Sequence, residues 1–154
     1  MLKYSDYNVG FEEIPERVSL NIFITNCPFL CEGCHSPELR EDIGTELTSE
    51  ELEKLLYKCR GITCVTFMGD GCTPKDVITL GQYLRDKHPG LDIAVYSGRE
   101  EYDDYFGLFS FIKLGAYRQE LGAINTRTTN QRMYQRSGDG YKDITPSFWA
   151  RYNR

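Results

Sequence analysis

The apolar positions of this chain change period several times, and each change predicts an element. Residues 18–24 read VSLNIFI, an alternating, β-branched run that predicts a strand. Thr48 with Glu51 three residues on is a capping-box pattern, and Leu52, Leu55, Leu56 and Cys59 then repeat at helical spacing. Residues 62–67 read ITCVTF and predict a buried strand ending at MGDGC. A second helix follows, with Thr73 as its cap, Pro74 at its first position, and Val77, Leu80 and Leu84 as its stripe, until HPG at 88–90 stops it. Strands are predicted again at 91–96 (LDIAVY) and 110–114 (SFIKL), with a short acidic helix around 99–106 between them. From Gly115 onward the chain is polar and gives no clear period, and residues 143–149 (DITPSFW) read as a late strand or a strap.

Strands alternating with helices predict an α/β fold with parallel strands and helical crossovers, in a single domain spanning residues 1–154. Ligands of such sheets gather beyond the carboxyl ends of the strands. Cys27, the Gly69 and Asp70 turn, the Ser97 and Gly98 turn, and the segment around Lys113 all fall at such ends. Four separate segments thus converge on one edge.

Composition narrows the class. At 154 residues, 40% hydrophobic and 27% charged, the chain can bury one ordinary core and is too apolar for long disorder. A net charge of −5 with no basic run argues against a nucleic-acid surface. The first residues lack the basic-then-apolar order of a signal peptide, and no apolar run approaches membrane-spanning length. The expectation is a cytoplasmic protein without a membrane partner. In that setting the six cysteines point to metal or catalytic chemistry rather than a disulfide framework.

Three of those cysteines crowd into CPFLCEGCH, residues 27–35, spaced Cys-x3-Cys-x2-Cys. A structural zinc site closes its shell with four protein ligands, and His35 lies directly beside Cys34, so one short loop would have to wrap the ion completely. A [4Fe–4S] cluster held by Cys27, Cys31 and Cys34 leaves one iron open, as a catalytic site needs. Cys59 on the helical stripe and Cys64 in a strand read as core thiols, and Cys72 lies closer to the ligand edge.

The Cys-x3-Cys-x2-Cys loop after the first strand resembles the signature of radical S-adenosylmethionine (SAM) enzymes. The wider text resembles one branch, the activating proteins of anaerobic ribonucleoside-triphosphate reductases: NIFITNCPFLCEGCHSPE, then FMGDG, VYSG, GAYRQEL and TTNQR, in the family's order over residues 18–132. The resemblance implies a small, incomplete (β/α) barrel of radical SAM type. It implies that Cys27, Cys31 and Cys34 hold one [4Fe–4S] cluster whose fourth iron takes the amino and carboxylate groups of SAM. It implies reductive cleavage of SAM to a 5'-deoxyadenosyl radical, which takes a hydrogen atom from a backbone glycine of the anaerobic ribonucleotide reductase large subunit. A reductant such as flavodoxin or ferredoxin completes the set of partners. No catalytic side chain is implied beyond cluster and SAM, since the cofactors carry the hard chemistry.

The resemblance also assigns contacts. Met68, Gly69 and Asp70 stand in the glycine-glycine-acid segment that holds the methionine amino group, with Met68 in place of the first glycine and Asp in place of the more usual Glu. Asp70 is expected to add negative charge near the ammonium, with a strand-ending turn as the plain alternative. Gly33 precedes the last cysteine, where its backbone meets adenine, and Asn26 stands where this branch often has glycine, a site open to left-handed backbone. Ser97 and Gly98 resemble the segment beside the sugar and methionine. Lys113 is a candidate for the SAM carboxylate or a strand lysine reaching water. Asn130 and Arg132 are candidates for the carboxylate, the ribose or a partner loop. Two other readings stay open: a radical SAM enzyme acting on another glycyl radical enzyme or a small substrate, and a non-catalytic metal-binding module.

Overall fold

A computed structural model of the protein describes residues 1–29 and 37–152, with side chains described as far as residue 149. Cys31, Gly33, Cys34 and His35 lie outside the described residues. The described chain forms one eight-stranded sheet with helices against it. The strands are β1 (Lys3–Gly10), β2 (Ser19–Ile24), β3 (Thr45–Glu46), β4 (Cys64–Met68), β5 (Asp92–Tyr96), β6 (Phe111–Leu114), β7 (Arg132–Ser137) and β8 (Gly140–Asp143). The helices are α1 (Ser49–Lys58), α2 (Pro74–Lys87) and α3 (Pro146–Tyr152).

Strand order is β3-β1-β2-β4-β5-β6-β7-β8. The four central strands β2, β4, β5 and β6 run parallel, with α1 in the crossover from β2 to β4, α2 in that from β4 to β5, and only a 3-10 turn between β5 and β6. Both flanks are antiparallel: β1 and β3 on one side, the β7–β8 hairpin on the other. The expectation of a parallel sheet therefore holds for the centre only, and the architecture is α/β with a mixed sheet. The flanking strands escaped the sequence reading because edge strands are solvated and carry few apolar residues. In β1 only Tyr4 is buried, and in β7 only Met133.

Two further expectations are corrected. The acidic helix around 99–106 is only a 3-10 turn at Asp103–Tyr105. The late strand or strap at 143–149 is the helix α3, which starts at Pro146 because proline suits a first helical turn. The cap of α1 is as expected, with the Glu51 amide donating to Thr48 Oγ1 at 3.1 Å. The Glu51 carboxylate does not return to Thr48; it accepts from the Tyr4 hydroxyl at 2.6 Å. Burial and then that carboxylate push the Tyr4 phenol up to about 12. Thr73 precedes α2 but makes no side-chain cap.

The central strands alternate between two faces. One face carries Leu20, Ile22, Ile24, Val65, Phe67, Ile93, Val95 and Ile112 against Leu52 and Leu55 of α1 and Val77, Leu80 and Leu84 of α2, all buried. The other gathers Cys64, Ala94, Phe111 and Met133 under Ile14 and Phe148. The same face also holds small polar residues, with Ser19, Asn21 and Thr66 fully buried, and the larger Phe23, Met68, Tyr96 and Lys113 toward the strand ends. Ser19 Oγ and Thr66 Oγ1 share a hydrogen bond of 2.7 Å, and Asn21 donates to Asn8 Oδ1 at 3.0 Å. These bonds satisfy the two hydroxyls and the Asn21 amide nitrogen, while Asn21 Oδ1 has no hydrogen-bond partner among the described residues.

Candidate functional site

Beyond the carboxyl ends of β2, β4, β5 and β6 the sheet opens into a cavity of about 220 Å³. Each central strand sends residues to its wall. Phe23 comes from β2, Met68, Gly69 and Asp70 from the end of β4, Tyr96, Ser97 and Gly98 from the end of β5, and Lys113, Gly115 and Ala116 from the end of β6. Cys27, Phe29 and Leu39 close the side formed by the cysteine loop. Seven residues singled out from sequence, Cys27, Met68, Gly69, Asp70, Ser97, Gly98 and Lys113, thus meet at one cavity.

Backbone pairing pins the entry to the cysteine loop. The Asn26 amide donates to Glu41 O and the Cys27 amide to Leu39 O, both at 2.9 Å. Asn26 takes φ +60°, the left-handed region that asparagine tolerates better than other non-glycine residues. Cys27 Sγ lies 3.9 Å from the Phe29 carbonyl. The Phe29 ring lies over Gly98, where an added Cβ would come within 2.7 Å of Phe29 Cδ2. Gly98 is therefore required for close approach of the cysteine loop to the end of β5. Gly69 has φ +109°, which only glycine adopts without strain, and it turns the chain so that Asp70 faces inward.

Asp70 is 2% exposed and sits at the centre of a polar cluster. Its Oδ2 accepts from Ser97 Oγ and from the Tyr105 hydroxyl, both at 2.7 Å, and lies 3.4 Å from Arg99 Nε. Burial, followed by the Asp70 charge, raises the Tyr105 phenol far above its ordinary range, so it stays a donor at any working pH. Ser97 Oγ also accepts from the Arg99 amide at 3.1 Å. Asp70, expected to bring negative charge to a ligand ammonium, stands at the cavity wall. Arg99 offsets that charge locally, and Oδ2 already holds three partners.

Lys113 reaches the cavity wall with its ammonium 4.9 Å from the centre of the Tyr96 ring. The Tyr96 hydroxyl in turn donates to the Glu13 carbonyl, fixing the ring that lies beside it. Asn130 stands behind the wall, donating to Ala116 O at 3.0 Å. Arg132 is not brought to the cavity. It pairs opposite Leu114, on the helix-covered face, and its Nε is 3.7 Å from Asp143.

Gln131, between those two, is the residue of TTNQR that lines the cavity; it is buried and donates to Gly115 O at 3.2 Å. Strand alternation held the signal: a residue facing the same way as Met133 and Lys113 must be 131, not 130 or 132. Phe29, Tyr96, Arg99, Tyr105 and Tyr117 were likewise not singled out. An aromatic residue inside a cysteine-rich loop is a signal for Phe29, and Arg99 directly follows the Ser97 and Gly98 turn.

The other cysteines keep their places. Cys59 packs half-buried against the main core, and Cys64 is fully buried, where desolvation pushes its thiol up to about 12. Cys72 is exposed, with Sγ 3.3 Å from the Asn26 carbonyl. Among the described residues no cluster of metal-binding side chains forms, and this set lacks Cys31 and Cys34. No described helix is long and apolar enough to cross a membrane. No protein-family model, curated protein or solved structure matches the chain.

Proposed function

We propose that this protein is a radical SAM activase that generates a glycyl radical on an anaerobic ribonucleotide reductase, working in the cytoplasm. The observation that carries the reading is the meeting of Cys27 with the turns of β4, β5 and β6 at one cavity beyond the parallel strands. The donor set fits the cofactors. Cys27 is a soft thiolate ligand at the cavity wall, and two further cysteines follow it in the same loop. Together Cys27, Cys31 and Cys34 would hold a [4Fe–4S] cluster, leaving one iron for SAM. Gly69 and Gly98 present backbone without side-chain bulk, and Lys113 supplies a cation for a carboxylate. Phe23, Met68 and Tyr96 supply apolar surface to the wall.

Bound there, a cluster and SAM would supply one-electron radical chemistry directed at a glycine of the partner. The electron comes from a flavodoxin- or ferredoxin-type donor. The chain's own part is to orient and enclose. Tyr96 is held by Glu13, Ser97 by Asp70, and Gln131 by its bond to Gly115, so the wall is set before any ligand arrives.

The test is anaerobic incubation of reconstituted protein with SAM, a strong reductant and a candidate reductase. Formation of 5'-deoxyadenosine, with a glycyl radical signal in electron paramagnetic resonance, is expected. A fully reduced cluster that yields no 5'-deoxyadenosine with the reductase present would overturn the reading.

A further inference from the structure

The cluster around Asp70 reaches further than its own hydrogen bonds. Arg99 touches Asp70 with one edge, and its guanidinium carbon lies 5.9 Å from the centre of the Phe29 ring. Ser97, held by the same carboxylate oxygen, precedes Gly98, the residue on which Phe29 rests. Two routes therefore run from one buried carboxylate to the aromatic ring two residues after Cys27. Arg99 also receives the Gly115 amide on its carbonyl at 2.8 Å, which ties the end of β6 to the same unit.

We propose that Asp70, Arg99 and Tyr105 form a positioning unit that docks the Cys27-to-Phe29 segment against the end of β5, so that Asp70 serves the cysteine loop rather than contacting the ligand. The physical logic is direct. A buried carboxylate needs compensation, and among the described residues its Oδ2 takes hydrogen bonds from Ser97 and Tyr105 and an ion pair from Arg99. Satisfying Asp70 fixes that loop, and the fixed loop offers Gly98 and the Arg99 face to Phe29. Cation–π contact with a ring stabilises the packed position. The inference rests on the proposed cluster site only in giving Cys27 a purpose; the docking itself is a property of the chain alone.

The experiment follows from three cysteines of different burial. Metal-free protein, kept reduced, is treated with iodoacetamide, and labelling at each cysteine is followed by peptide mass spectrometry. Cys72 is exposed and serves as the rate reference, while buried Cys64 reports unfolding. Arg99→Gln is expected to raise Cys27 labelling about two- to fivefold relative to Cys72. Arg99→Lys, which keeps a cation over the ring, is expected to restore at least half of the protection, an outcome that mere loss of packing would not give. Tyr105→Phe is expected to raise labelling less.

Unchanged Cys27 labelling in Arg99→Gln, or a rise that Arg99→Lys does not reverse, overturns the proposal. Should Cys64 begin to label in Arg99→Gln, Phe29→Leu decides instead. It keeps bulk in the loop but removes the ring, so a rise supports the docking and no change overturns it. Since no cluster is present, failure here is distinct from failure of the activase reading, which the iron and 5'-deoxyadenosine measurements test.

Discussion

The two faces of the same four central strands contrast in what they hold. One is continuous aliphatic and aromatic surface, with Leu20, Ile22, Val65, Phe67, Ile93 and Val95 sealed under α1 and α2. The other carries Ser19, Asn21, Cys64, Thr66 and Ala94, and leads toward the cavity at the strand ends. Strand alternation makes the separation possible: each strand gives every second residue to the helix-covered core and the rest to a mixed face, part polar and part a smaller apolar cluster, that leads to the site. The contrast teaches that substitutions one position apart should fail differently, by loss of fold on one face and by loss of pairing on the other.

The sharpest way to break the comparison is Phe67→Ala. Phe67 is fully buried and meets Phe109 edge-to-face at 6.4 Å. The expected loss is about 3–5 kcal/mol, read from the urea midpoint. A loss comparable to a surface substitution would mean the helix-covered face does not carry the fold. Next is Asp70→Asn, which leaves Arg99 without its counter-charge and is expected to cost about 2–3 kcal/mol.

On the mixed face, Ser19→Ala and Thr66→Val should each cost about 1 kcal/mol, because each removes the closest partner of a buried hydroxyl and leaves it only the weaker contact with the Cys64 thiol. The double variant should cost less than the two together, since the hydroxyls are each other's partners; additive losses would contradict the pairing.

The smallest effect lies between α1 and the end of α2. The hydrogen bond from His88 holds the Glu53 carboxyl below its ordinary range, against a desolvation cost that the smaller contribution of the Tyr83 hydroxyl helps to offset. A lowered carboxyl gives stability that is present above its unfolded value of 4.5 and is lost as pH falls through the folded value. Both side chains are a third or more exposed, so the contribution is at most about 0.5 kcal/mol. Glu53→Gln should therefore lower stability slightly at neutral pH and leave it unchanged at acid pH. A difference that persists in acid would point to packing rather than charge.

The parts of the fold legible in sequence are those where periodicity reports burial. β2, β4, β5, α1 and α2 are flanked by turn or cap residues and bury one clear stripe or run. β1, β7 and β8 left little trace, because most of their side chains meet solvent and no apolar alternation survives. Tyr102, Tyr105 and Phe106 mimic a helical stripe, yet the chain makes one 3-10 turn there so that Tyr105 reaches Asp70 and Phe106 meets Tyr134 and Tyr141. Within the site, strand-end turns were legible because glycine marks them. Arg99, Tyr105 and Gln131 were not, since their roles depend on contacts between segments far apart in sequence.

The central claim is that the cavity edge marked by Cys27 holds an iron–sulfur cluster on three cysteines. Anaerobic reconstitution followed by iron and acid-labile sulfide analysis tests it most directly. The account predicts about four irons and four sulfides per chain, lost on Cys27→Ala and kept on Cys59→Ala. Tightly held zinc without sulfide, or equal loss of iron in both variants, would contradict it.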